Sequence, residues 1–120
     1  MFDESRAIFI QIAEQIESDI LDGTLAEESQ APSTNDLATF HRINPATVAK
    51  GVAQLVADGI LYKRRGVGMF VATGAQNALI AKRRQAFWGG FVEPLVSEAH
   101  KLDIDSEELI IMIKDGMATP

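Results

Sequence analysis

Apolar residues recur at helical spacing over three stretches of the chain and at strand-like spacing over one. Near the start, Ile8, Ile12, Ile16 and Ile20 form a stripe with Phe9, Ala13 and Leu21 beside it, which predicts a helix running to about Asp22, where Gly23 ends it. Asp3 or Ser5 stands where its cap is expected. The acids Glu14, Glu17, Asp19 and Asp22 fall off the stripe and are expected at solvent or at a partner. A polar connector, Glu27 to Gln30, leads to Ala31-Pro32. Ser33 or Thr34 then caps a short helix from Asn35 to about Phe40, with Leu37, Ala38 and Phe40 inward.

The clearest element is Asn44 to Gly59. Asn44 is a good N-cap, Pro45 follows where its missing N–H costs nothing, and Gly59 supplies a left-handed stop. Val48, Val52, Leu55 and Val56 make its apolar stripe. Ala46, Thr47 and Lys50 fall off that stripe, and small, hydroxylic and cationic side chains suit a face pressed into a DNA groove. The four-residue link between this helix and the one before it makes a helix-turn-helix. The period then changes: Ile60 to Arg64 and Met69 to Ala72 read as two strands around the turn Arg65-Gly66-Val67-Gly68. A helix, a helix-turn-helix and a two-stranded flap together make a winged helix.

The remainder is a different module. Ala75 to about Leu102 reads as helix, with an interruption expected at Gly89-Gly90 and Pro94, and Asp105 or Ser106 caps a last helix. Phe87, Trp88, Phe91, Leu95 and Val96 crowd around the interruption, and Leu109, Ile110, Met112 and Ile113 make the last helix apolar. Two short helices cannot bury such a surface by themselves, so a second copy of the chain is expected to cover it. The predicted fold is therefore α+β, mostly α. A winged helix-turn-helix occupies residues 1–73, and a short helical dimerisation module, with ligand sensing as a further role, occupies 74–120.

Charge sharpens this picture. The net charge of −6 is unevenly spread. Residues 1–30 set Arg6 against eight acids, and residues 85–120 set Lys101 and Lys114 against seven. Between them, Arg42, Lys50, Lys63, Arg64, Arg65, Lys82, Arg83 and Arg84 face only Asp36 and Asp58. A basic middle in an acidic chain points to local, oriented phosphate contact. There is no cysteine, no apolar run near the length of about 20 residues that a membrane helix needs, and no signal pattern at the start; an intracellular, cytoplasmic protein without a membrane partner is expected. Neither a cofactor nor a metal is implied. Gly66-Val67-Gly68 lacks the third glycine of a dinucleotide fingerprint, and His41, read as a turn residue, has no partner at ligand spacing. Two histidines and no paired acids beside a nucleophile give an enzyme no support, and His100 reads as a helix C-terminal cation.

Residues 31–72 resemble the GntR group of bacterial transcription regulators. The residues that carry the resemblance are Ala31-Pro32-Ser33-Thr34-Asn35-Asp36-Leu37-Ala38, Thr47-Val48, Asp58-Gly59-Ile60-Leu61, and Arg64-Arg65-Gly66-Val67-Gly68-Met69-Phe70-Val71. Ile8 to Ile12 also looks like the family's first helix, and the Ile43-Asn44-Pro45 start with a short C-terminal part resembles the YtrA-like subgroup. The resemblance implies a homodimeric repressor on a double-stranded operator of two half-sites, controlling transporter genes and released by a small-molecule effector. It places Ser33, Thr34 and Asn35 on phosphate and Asn44, Ala46, Thr47 and Lys50 in the major groove. Arg64, Arg65, Gly66, Val67 and Gly68 become a wing against the minor groove or sugar-phosphate. Where the family often has arginines, this chain has Asn35, Pro45 and Ala49, which leaves Lys50 as the only cation on the recognition helix. Phe87, Trp88, Phe91, Leu95, Leu109 and Ile113 either fill the dimer core or line an effector pocket. A winged helix that binds only protein is the competing reading, and the Lys63-Arg64-Arg65 charge on the hairpin argues against it.

Overall fold

The computed structural model describes residues 2–120. The chain forms two compact units: the first ends at Ala81 and the second spans Lys82–Pro120. The elements in order are α1 (Ile8–Leu21), α2 (Thr34–His41), α3 (Pro45–Ala57), β1 (Leu61–Arg64), β2 (Gly68–Val71), α4 (Ala75–Phe87), a π-helical segment (Trp88–Val92), α5 (Glu93–Lys101) and α6 (Ser106–Ala118).

The first unit has one core. Ile12, Ile16 and Ile20 of α1 meet Val48, Val52 and Leu55 of α3, with Ala38, Leu61, Val71, Ala75 and Leu79 closing it. The first turns of α4 thus belong to this core. The helix ends follow their local chemistry. Asn44 accepts the Ala46 N–H at 2.8 Å and Ser33 accepts the Asp36 N–H at 3.0 Å. At the end of α3, Gly59 has φ +75° and the Ile60 N–H reaches the Leu55 carbonyl at 2.9 Å, which satisfies the last turn.

Four expectations fail. Neither Asp3 nor Ser5 caps α1; its N-cap is Ala7. Asp3 instead accepts from Ser5, while buried Gln11 accepts the Asp3 N–H at 2.6 Å and donates to the Asp3 and Arg6 carbonyls, pinning the preceding segment to α1. Glu17, expected at the surface, is only 6% exposed. Phe40, expected inward, is 80% exposed, because Leu37 and Ala38 already face the core from this two-turn helix. Val56 is 40% exposed and buried Gly51 takes its share of the stripe.

β1 and β2 pair antiparallel, with Leu61 opposite Val71 and Arg64 opposite Gly68. The polar connector joins them. Gln30 bridges to Phe70, and the Glu28 and Ala31 N–H groups donate to the Val71 and Met69 carbonyls, each at 2.8 Å. In the second unit the interruption at Gly89-Gly90 is a π-helical segment between α4 and α5, and Pro94, which has no N–H to give to the helical ladder, follows directly after it in the first turn of α5. Asp105 caps α6 by accepting the Glu108 N–H at 2.9 Å.

Candidate nucleic-acid interface

The helix-turn-helix is closed by an unusual backbone residue. Arg42 adopts φ +56° without being glycine, and the Ile43 N–H returns to the Ala38 carbonyl at 2.9 Å. That bond turns the chain sharply between α2 and α3. Ile43 packs on the core, which leaves Asn44, Pro45, Ala46, Ala49 and Lys50 exposed along the first turns of α3 while Val48, Gly51, Val52 and Leu55 hold the opposite face. Thr47 is half-buried. Ser33 and Asn35 are exposed at the start of α2 and Thr34 is half-buried. The Ser33 oxygen is occupied as a cap acceptor, but its hydroxyl proton remains available to an oxygen ligand.

α3 packs directly on β1, which sets the hairpin beside it. Arg64, Arg65, Gly66 and Val67 are exposed at the tip and Gly68 is half-buried. The turn is tight: the Val67 N–H donates to the Arg64 carbonyl at 2.9 Å and Gly66 has φ +77° with open space around it. A bare backbone there permits close approach to a sugar-phosphate strand. Gln30 anchors the far side, donating from Nε2 to the Val67 carbonyl at 2.9 Å. Gln30 has no local sequence signal for this role, because its partner lies 37 residues away.

Two of the cations lie on aromatic rings. Lys50 Nζ sits 4.2 Å from the centroid of the Phe9 ring, and Arg64 Cζ sits 4.8 Å from that of Phe70. Beneath the wing, Glu28 accepts from the Tyr62 hydroxyl at 2.5 Å and the Thr73 hydroxyl at 2.6 Å. Those bonds, Thr73's first, hold the Glu28 carboxyl below the ordinary carboxylate value, and Glu28 in turn raises Tyr62. Glu27 accepts the Gly74 and Gln76 N–H groups at 2.9 and 3.1 Å, an anionic cap for α4 contributed from 47 residues earlier.

The remaining candidate residues lie in the second unit. Phe87, Trp88, Phe91, Leu95 and Ile113 are exposed and Leu109 is half-buried, with the Phe87 and Phe91 rings 5.5 Å apart. A groove of about 600 Å³ lies elsewhere, between α1 and α2, floored by Ile12, Ile16 and Leu37. Among the described residues no cluster of histidines and acids has the makings of a metal site, and no helix is long and apolar enough to cross a membrane.

Residues 10–71 match the family described as bacterial regulatory proteins, gntR family. The HTH-type transcriptional repressor YtrA of Bacillus subtilis (strain 168) is 29% identical over 111 residues, covering 92% of this chain and 85% of its own. A GntR family transcriptional regulator from Listeria monocytogenes has a solved structure similar at TM-score 0.76 and 30% identity, covering 95% of this chain and 98% of that one. AraR(DBD), solved in complex with operator ORR3, is similar at TM-score 0.52 and 33% identity over 53% of this chain and 77% of its own. The fold is a winged helix with appended helices, the family match takes in more than half of the residues, and the chain belongs to the gntR family of bacterial regulatory proteins, DNA-binding transcription regulators and not enzymes.

Proposed function

We propose that the protein is a cytoplasmic, homodimeric repressor that binds a double-stranded operator of two related half-sites. The observation that carries this reading is the exposed, cation-bearing face of α3 beside an equally exposed basic wing. Among the described residues, none of those exposed cationic side chains belongs to the buried core cluster. In this reading Asn44, Ala46, Thr47 and Lys50 meet base edges in the major groove. Ser33, Thr34 and Asn35 hold phosphate at the start of α2. Arg64, Arg65, Gly66, Val67 and Gly68 lie along the minor groove or the sugar-phosphate. AraR(DBD) bound to its operator and the repressor named YtrA support the DNA partner and the sign of regulation.

Dimerisation falls to the second unit. Phe87, Trp88, Phe91, Leu95, Leu109 and Ile113 pack against the same residues of a second copy. A small-molecule effector that enters this cluster would release the operator, and transporter genes are the proposed targets. A single winged module buries only about 600–1,000 Å² on DNA, so two are needed for firm, specific binding. The test is a mobility shift with the DNA upstream of the protein's own gene, followed by footprinting. Two protected segments about one helical turn apart are expected. No shift even at about 50 mM salt, where phosphate contacts are strong, overturns the reading. Ligand screening by thermal shift tests the effector.

A further inference from the structure

Lys50 is the only lysine or arginine in α3, and its ammonium is not left to wander. It lies over the face of Phe9, which α1 presents one turn before its buried isoleucine row begins at Ile12. Tight packing between α1 and α3 fixes where the Phe9 backbone, and with it the root of the ring, is placed. A Cβ at Gly51 would lie 2.6 Å from the Phe9 carbonyl oxygen and 3.4 Å from Ile12 Cγ2, so the two backbones nearly touch beside Lys50. The arrangement has three parts. Gly51 lets α1 come near, α1 brings the Phe9 ring, and the ring holds the Lys50 ammonium.

We infer that Phe9 is a specificity-determining positioning residue: its ring holds the Lys50 ammonium at the surface of α3 so that the remaining N–H donors address one base step instead of the nearest phosphate. The inference rests on α3 entering the major groove. A free lysine is a compact point charge on a flexible stem and will pair with any phosphate in reach. An ammonium with one side against a ring keeps its other donors turned away from that ring, toward whatever lies on the exposed face. Removing the ring frees Lys50 to take a phosphate, so attraction to DNA survives while discrimination falls. Arg64 on Phe70 repeats the arrangement in the wing, but Phe70 is buried in the hairpin, so Phe9 is the site that isolates the effect.

The experiment uses the full chain. Preferred sites are selected from a random-sequence duplex pool. Dissociation constants are then measured for the best site, for its single-base-pair variants and for random DNA. The proteins are wild type, Phe9→Leu, Phe9→Tyr, Lys50→Ala and the Phe9→Leu/Lys50→Ala double variant, each with its melting temperature. At the base pair where Lys50→Ala reduces discrimination, Phe9→Leu is expected to reduce it about two- to fivefold, the worth of an exposed cation–π contact. Affinity for random DNA is expected to stay within about twofold, Phe9→Tyr to match wild type, and Phe9→Leu to add nothing in the Lys50→Ala background. Three results overturn the positioning alone: wild-type discrimination in Phe9→Leu while Lys50→Ala loses it, an equal loss in Phe9→Tyr, or a further loss in the double variant. Unchanged discrimination in Lys50→Ala overturns the base-reading role of α3's lysine and the inference with it.

Discussion

Gly51 and Gly59 are both glycines of α3 and its end, and they are required for opposite reasons. Gly59 has open space around it but a φ of +75°, so any side chain there is strained by its own backbone. Gly51 has ordinary helical geometry but no space, because a Cβ there would lie 2.6 Å from the Phe9 carbonyl oxygen. In an open helix Gly→Ala gains roughly 1 kcal/mol. At Gly51 the sign should reverse, since backbone must move to admit the methyl. A net loss of about 1–3 kcal/mol is expected for Gly51→Ala, the usual cost of overpacking, and thermal unfolding of the purified variant measures it. A second expectation separates the DNA contacts. Lys50→Ala should reduce discrimination between operators, whereas Arg64→Ala should weaken binding about equally on any duplex. Equal behaviour of the two variants in competition titrations would refute those assignments. Gly51 also shows where the amino-acid pattern stops informing. Periodicity located the buried face of α3 through Val48, Val52 and Leu55, but it favoured Val56 over Gly51 because hydropathy carries no record of how near a neighbouring helix passes. Phe40 fails for a related reason: an apolar residue at helical spacing is buried only if something covers it.

At the scale of elements, the connector before α2 does more than join two helices. Glu27 caps α4, Glu28 ties the base of the wing to Thr73, and Gln30 holds the wing tip, so one short polar stretch braces three later elements. Glu28 does this at φ +65°, a conformation that its bonds to Tyr62 and Thr73 help to hold. The pH consequence follows from the direction of its shift. Its folded carboxyl is held below its ordinary value of 4.5, chiefly by the Thr73 hydroxyl and then by Tyr62. The stabilisation is therefore fully present above pH 4.5 and is lost as pH falls through the lower folded value. Glu28→Gln should flatten that acid limb in denaturant titrations, and a limb as steep as wild type would refute the brace. Tyr62 runs the other way: raised by Glu28, it contributes stability below its ordinary value of 10.0 that is lost as pH rises through the folded one. The caps at Asn44, Ser33 and Asp105 were legible because each acts within three residues of itself. The connector's role was not, because every partner lies more than thirty residues away in sequence.

For the whole molecule, the second unit sets the terms. Among the described residues of Lys82–Pro120, Ala99 alone is a buried apolar side chain, while Trp88 and Phe91 are 62% and 68% exposed. A segment of about 40 residues or fewer with so little core usually needs oligomerisation to be stable. The chain contains a single tryptophan, so Trp88 reports on that association directly. If a second copy covers it, emission should move to longer wavelength on dilution through the dimer dissociation range, and Phe91→Asp should hold it there at all concentrations. The same variant then tests how DNA is bound. With Arg64 and Arg65 each neutralising a phosphate, a dimer on two half-sites releases counterions from about four, giving a slope near −4 for log K against log salt. A monomeric Phe91→Asp protein should keep about half that slope on a single half-site and lose the extra affinity that a second half-site adds. A wild-type slope near zero would mean that the basic middle of the chain does not touch phosphate. An unchanged slope in a variant shown to be monomeric would mean that one protomer makes all the contacts, and that the exposed aromatic face serves something other than pairing two readers on one operator.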